Sequence, residues 1–256
     1  MSETRTANPP APDSPPGKPL PLAVVLVSGG LDSCVTAAWA AQTHRLAFLH
    51  LNYGQRTEKR ERQAFHELAL AFKATPLLDA HVEHLAGIGG SSLTDANMAV
   101  TPADLNQEGI PSSYVPFRNA NILAIAVSWA EVIGAEALFI GAVAEDSSGY
   151  PDCRPEFFEA FQQVIDTGTK PETRLRIHTP IIHLKKSEII QKGIDLGAPL
   201  EKTWSCYQSE DQACGVCDSC ALRLRGFQQL NVEDPIPYAQ RPNYLQAQPQ
   251  ALSESS

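Results

Sequence analysis

Leu22-Ala23-Val24-Val25-Leu26-Val27-Ser28-Gly29-Gly30-Leu31-Asp32-Ser33 is the stretch on which the fold turns. Its first six residues are apolar without a break and partly β-branched. A run of that length closed by glycines marks a strand buried on both faces. At Ser28-Gly29-Gly30 the run stops, and the next residues suit a helix with Asp32 and Ser33 in its first turn. Such a junction binds anions, because two glycines leave backbone N–H groups uncovered and the helix N-terminus adds partial positive charge. Two glycines alone describe any strand-to-helix turn. The whole Ser-Gly-Gly-Leu-Asp-Ser string after a buried strand is far more specific.

Downstream the pattern alternates. A helix is expected over 33–42, and a second buried strand over 46–51 that ends at Asn52-Tyr53-Gly54-Gln55-Arg56. A helix over 58–73 puts Phe65, Leu68, Ala69 and Phe72 on one face, and a short strand comes next at 75–78. Segment 85–117 carries glycine, serine and proline without a period, as a lid or binding loop does. Beyond it come a helix over 118–134, a strand over 136–141, a loop over 146–155, and helices over 156–167, 185–196 and 221–227. Strands alternating with helices give an α/β, doubly wound parallel sheet covered on both faces. Ligands of such sheets sit beyond the carboxyl ends of the strands. Ser28-Gly29-Gly30, Asn52-Tyr53-Gly54 and Gly141 are all expected at that edge.

The 256 residues suit one domain with an appendage, or two small domains. The expected division is a disordered leader over 1–20, rich in proline from Pro9 to Pro19, an α/β domain over 21–198, a metal-stapled helical region over 199–232 and a tail over 233–256. No apolar run approaches the roughly 20 residues that span a bilayer, and the N-terminus lacks the apolar stretch of a secretory signal. The expectation is a cytoplasmic protein without a membrane partner. A formal net charge of −9 argues against a nucleic-acid partner, since phosphate neutralisation supplies most non-specific affinity for RNA or DNA. A small-molecule substrate is favoured.

Four of the six cysteines form Cys206-x7-Cys214-x2-Cys217-x2-Cys220. Clustering of this kind in a cytosolic chain indicates metal binding. Four thiolates suit a structural tetrahedral zinc with no open position, and an iron–sulfur cluster competes for the same spacing. Cys34 and Cys153 are left over, and Cys34 is expected to pack within the first helix. Val115-Pro116-Phe117-Arg118-Asn119 places a cation at a helix start. Ser148-Gly149-Tyr150-Pro151-Asp152-Cys153-Arg154 combines turn residues with an aromatic ring and two charges. Lys186 lies in Leu184-Lys185-Lys186-Ser187-Glu188.

The glycine loop is neither a Walker A site nor Gly-x-Gly-x-x-Gly nor a nucleophile elbow. Ser28-Gly-Gly-Leu-Asp-Ser33 resembles the PP-loop of ATP pyrophosphatases, which split ATP between its α and β phosphates. With Asn52-Tyr-Gly-Gln-Arg56, Val115-Pro-Phe-Arg-Asn119, Ser148-Gly-Tyr-Pro-Asp-Cys-Arg154, Lys186-Ser-Glu188 and the cysteines, the chain resembles the 7-cyano-7-deazaguanine synthases of queuosine biosynthesis from about residue 22 to 230. Phe117 departs from the pattern, because that family usually has glycine or alanine there.

The resemblance implies an adenine nucleotide alpha hydrolase-like, Rossmann-like fold and an ATP-dependent ligase that joins ammonia to 7-carboxy-7-deazaguanine. It implies structural Zn2+, ATP with Mg2+, and a homodimer. Val27, Ser28, Gly29, Gly30, Leu31, Asp32, Ser33, Cys34, Val35, Thr36 and Ala37 would form the nucleotide site. Asp32, Ser33, Arg118 and Lys186 would serve the chemistry, with magnesium relieving the repulsion between Asp32 and phosphate. Tyr150, Asp152 and Asn119 would contact the purine-like ring, and Cys206, Cys214, Cys217 and Cys220 would hold zinc. The rival readings are a PP-loop tRNA thiolase, which needs a sulfur-handling cysteine, and a zinc-stapled nucleotide-binding module without turnover.

Overall fold

β1 (Leu22–Leu26) is buried at every position, and its side chains divide between two cores. Leu22, Val24 and Leu26 face one, while Ala23 and Val25 face the other. That division follows from the two-residue period of a strand and explains why the apolar run is continuous. A computed structural model of the chain describes residues 19–95, 97–100, 103, 105, 109–144 and 149–245. Most of the expected leader, the end of the expected tail and Ser148 lie outside the described residues.

The elements follow in the order α1 (Leu31–Ala40), β2 (Arg45–Asn52), α2 (Glu58–Phe72), β3 (Leu77–His81), α3 (His84–Ile88) and α4 (Arg118–Ile133). Then come β4 (Ala137–Phe139), α5 (Pro155–Gly168), β5 (Arg176–His178), α6 (Lys186–Asp195) and α7 (Asp218–Gln229). The strands form one sheet in the order β3-β2-β1-β4-β5, every neighbouring pair parallel. Leu123, Ala126 and Ala130 of α4 and Phe158 of α5 cover one face. Cys34 and Val35 of α1, Phe65 and Leu68 of α2, and Ile189 and Ile190 of α6 cover the other. This is the doubly wound α/β sheet expected from the alternation. Because the chain runs from β1 outward to β3 and then returns to the far side of β1, the strand order reverses between β1 and β4. A crevice opens at the carboxyl end of such a switch point.

The departures from expectation have local causes. The third strand runs from Leu77 to His81 rather than over 75–78, because Pro76 has no N–H to give to a ladder. The strand β5 had no signal: it has three residues, lies at the sheet edge and exposes Arg176 and His178. Segment 85–117 is not wholly irregular, since α3 occupies its start. The expected tail is folded as far as Tyr244, whose hydroxyl donates to Gly215 O at 2.7 Å, while Ile236 is buried against the cysteine region.

Phe117 sits at the N-cap of α4 with φ of 56°, the left-handed region that favours glycine. The exposed Phe117 ring packs edge-on to Phe157, with centroids 6.3 Å apart.

Candidate active site and metal centre

The crevice at the β1–β4 switch point is a cavity of about 280 Å³. Val27, Ser28, Gly30, Leu31, Asp32 and Ser33 line it, as does Gly141 after β4. Gly29 has φ of +90°, and a Cβ there would lie 2.7 Å from Glu61 O, so α2 approaches too closely for any side chain. A Cβ on Gly141 would meet Asp32 C and O at 3.0 Å, so the end of β4 lies directly against α1. The loop hydroxyls are linked: Gly30 N donates to Ser28 Oγ at 3.2 Å, Ser28 Oγ to Ser33 Oγ at 3.3 Å, and Ser33 Oγ to Gly30 O at 2.9 Å.

Two expected cations reach this cavity. Lys186 Nζ donates to both carboxylate oxygens of Asp32 at 2.7 Å, across 154 positions of sequence. It is aimed from the first turn of α6, whose start is fixed by Lys185 N donating to Glu188 Oε2 at 2.8 Å. Arg118, at the start of α4, donates from Nη1 to Tyr53 Oη at 3.1 Å, and its guanidinium lies 5.5 Å from the centre of that ring. The pairing of Lys186 with Asp32 already relieves part of the repulsion that a phosphate would meet. Asp32 keeps 30% of its side-chain exposure. With about four lone-pair positions on a carboxylate, it can also face a magnesium ion carried by a nucleotide.

The remaining expected site residues divide. Asn119 lines the cavity. Asp152 is buried and accepts from Asn119 N at 2.9 Å, satisfying an amide in the first turn of α4. Its backbone oxygen accepts from Asn119 Nδ2 at 2.7 Å. Tyr150 Oη meets Ser113 Oγ at 2.8 Å and its ring tilts on Tyr114. Asp152 therefore stands behind the wall that Asn119 presents, while Tyr150 packs with Ser113 and Tyr114. Cys34, Val35 and Ala37 are packed in the core behind the loop, and Thr36 Oγ1 donates to Asp32 O at 2.8 Å. Burial pushes the Cys34 thiol up to about 12 and the Cys153 thiol up to about 11. Neither offers a thiolate at neutral pH.

Sequence reasoning missed Glu61, Trp204, Ser205, Tyr207 and Arg223, all of which line the cavity. Tyr53, Gln55 and Arg56 were visible as a strand-end string but without a role. Glu61 accepts from Thr57 Oγ1 at 2.8 Å and from Gln55 Nε2 at 3.1 Å. Burial pushes its carboxyl up to about 7, against the pull of those two hydrogen bonds. A folded-state value above the unfolded one means the folded chain keeps the proton longer. Stability is therefore lost as pH rises from about 4.5 through about 7. Glu61→Gln is expected to abolish that loss, gaining at most about 3 kcal/mol over the parent at pH 8 relative to pH 5. Urea unfolding at the two pH values checks this, and an equal difference at both would refute it.

The four cysteine Sγ atoms lie within 4.8 Å of one another. A tetrahedral ion with metal–sulfur bonds of about 2.3 Å needs sulfurs about 3.8 Å apart, and Cys214 and Cys220 Sγ are separated by 3.9 Å. Backbone amides of Gln208 and Cys214 donate to Cys206 Sγ, and those of Val216 and Cys217 donate to Cys214 Sγ. Donors aimed at sulfur favour thiolates. The set could hold one metal ion such as zinc, with no ligand position left open. Arg223, on α7, ties this region to the domain. Nε and Nη2 donate to Asp234 at 2.6 and 2.9 Å, and Nη1 donates to Thr203 Oγ1 at 2.7 Å, all buried. Asp234→Ala would leave that guanidinium buried without its charge partner. A loss of about 3–5 kcal/mol is expected, read from the urea midpoint at unchanged slope.

Residues 22–231 match the family model described as queuosine biosynthesis protein QueC. The chain is 61% identical over 224 residues to the 7-cyano-7-deazaguanine synthase of Chloroherpeton thalassium, covering 87% of this chain and 99% of that protein. It is 59% identical to the protein of the same name from Chlorobium phaeobacteroides (strain DSM 266), with 87% and 99% covered. For Chlorobaculum tepidum the identity is 56% over 228 residues, with 88% and 99% covered.

Proposed function

As the chain belongs to the queuosine biosynthesis protein QueC family, we propose that it is an ATP-dependent ligase that converts 7-carboxy-7-deazaguanine and ammonia to 7-cyano-7-deazaguanine. The observation that supports this most directly is one cavity holding the Ser28–Ser33 loop, the Asp32–Lys186 pair and Arg118 together. Anion-binding amides, a carboxylate and two cations at a sheet switch point are what splitting ATP at its α phosphate requires.

A carboxylate is a poor electrophile, and adenylation gives it a leaving group. A substrate carboxylate oxygen attacks the α phosphorus, the bond to the bridging oxygen breaks, and pyrophosphate departs. Ammonia then adds to the acyl carbon, AMP leaves and an amide remains. The amide oxygen attacks a second ATP in the same way. Loss of both nitrogen protons and departure of AMP with that oxygen leave the nitrile. Loop amides, Ser28 and Ser33 hold the departing pyrophosphate, and Lys186 and Arg118 offset its developing charge without reorganising. Magnesium, when bound to the nucleotide, would supply further neutralisation beside Asp32. Asn119 faces the purine-like ring, with Asp152 fixing its orientation, and Tyr150 supplies a further contact to the ring. Zinc on Cys206, Cys214, Cys217 and Cys220 is structural.

The thiolase reading needs a reactive cysteine, and Cys34 and Cys153 are buried with raised thiols. Incubation with ATP, magnesium, ammonium and 7-carboxy-7-deazaguanine is expected to release AMP and pyrophosphate and to form the nitrile. Release of ADP and phosphate, or turnover indifferent to the carboxylate, would overturn the ligase reading.

A further inference from the structure

The segment Trp204-Ser205-Cys206 enters the cavity from the cysteine region and lies beside the glycine loop. Trp204 N donates to Gly29 O at 2.8 Å, Cys206 O accepts from Thr57 Oγ1 at 3.2 Å, and Cys206 Sγ belongs to the four-thiol cluster. Ser205 is held between these anchors. A Cβ placed on Gly30 would lie 3.3 Å from Ser28 Oγ and 3.8 Å from Ser205 Oγ, so the two hydroxyls flank the same glycine.

The hydroxyls differ in how they are used. Ser28 and Ser33 direct their protons within the loop, to Ser33 Oγ and Gly30 O, and must release those bonds before donating to a phosphate. Ser205 Oγ accepts from Arg223 Nη1 at 3.4 Å. A guanidinium has no acceptor to offer in return, so this contact orients the oxygen and leaves its proton unspent. Among the described residues that proton meets no acceptor. Arg223 is itself fixed by Asp234 and Thr203. The result is a half-buried hydroxyl at the loop, supported by a buried cation and with its donor available to the cavity.

We propose that Ser205 donates to the phosphate group gripped by the Ser28–Ser33 loop, so that the pyrophosphate site is completed by the metal-stapled segment. This rests on the ATP reading above and adds a binding residue from outside the loop. It also gives the cysteine centre a place in the reaction, since the metal would fix the residue next to Ser205.

The test is calorimetric titration of magnesium pyrophosphate into the full metal-loaded chain, parent and Ser205→Ala. A hydrogen bond to a charged group is worth enough that Ser205→Ala is expected to weaken pyrophosphate about ten-fold or more. Zinc content and thermal midpoint should stay at parental values, and the KM for the carboxylate substrate within about two-fold. Unchanged pyrophosphate affinity in Ser205→Ala overturns the role of Ser205 and leaves the ATP reading standing. Weakened affinity accompanied by lost zinc or a lowered midpoint also overturns it, because the hydroxyl would then serve the fold. If the parent itself does not bind pyrophosphate, the ATP reading falls and the role of Ser205 with it.

Discussion

Lys186→Met is expected to lower kcat/KM by about 10³-fold or more. The ammonium bridges both oxygens of Asp32 at 2.7 Å, and the Lys186 side chain is only 13% exposed. On the proposed ligase reading, its removal would delete a positioned cation where pyrophosphate charge develops and would leave the Asp32 carboxylate unbalanced beside the nucleotide. Both effects act on the same step, so the loss should exceed that of a simple donor deletion. A cycle with Asp32→Asn separates them. If the pair acts as a unit, the double variant will be no worse than the poorer single variant, whereas independent roles would multiply. Initial rates of AMP release at varied ATP and saturating carboxylate read the result as kcat/KM for ATP, with the thermal midpoint as a check on folding. A loss smaller than ten-fold for Lys186→Met would remove the lysine from the chemistry.

Loss of the metal is expected to be nearly as severe and to reach further. Cys206, Cys217 and Cys220 are part of a small core with Trp204, Ala213 and Ile236. In isolated zinc modules the metal supplies most of the folding free energy. Cys217→Ser should lose stoichiometric zinc and lower the thermal midpoint by about 10 °C or more, as a loss of several kcal/mol does in a domain of this size. Turnover should fall with it, because Trp204, Ser205 and Tyr207 form one wall of the cavity. Metal analysis, a thermal scan and the AMP assay on the same sample decide the matter. A full midpoint and full activity without metal would make the centre dispensable, and iron with visible absorbance would replace zinc by a cluster.

The reading of the sequence succeeded where burial is two-sided. β1 and the core of β2 are apolar at almost every position, so neither could be mistaken for a surface element. The edge strands β3 and β5 are half-exposed or short, and their composition carries little of that signal. The same limit applies to residues 233–244. Their polar composition suggests a tail, yet Asp234 is buried because Arg223 is there to meet it. Asp152 was legible as a charge in a turn, but its partner, the amide of Asn119, was not.

Local sequence was enough for the parallel α/β sheet, the anion loop after β1, the four-thiol cluster and, through the combination of strings, the family. Each is written in residues close together in the chain, where spacing alone constrains the geometry. Which distant groups share the cavity was settled in three dimensions: Lys186 on Asp32, Arg118 against Tyr53, and Ser205 beside Gly30. Those meetings depend on how α4, α6 and the cysteine region pack against the sheet. Packing is a property of whole surfaces rather than of any local pattern.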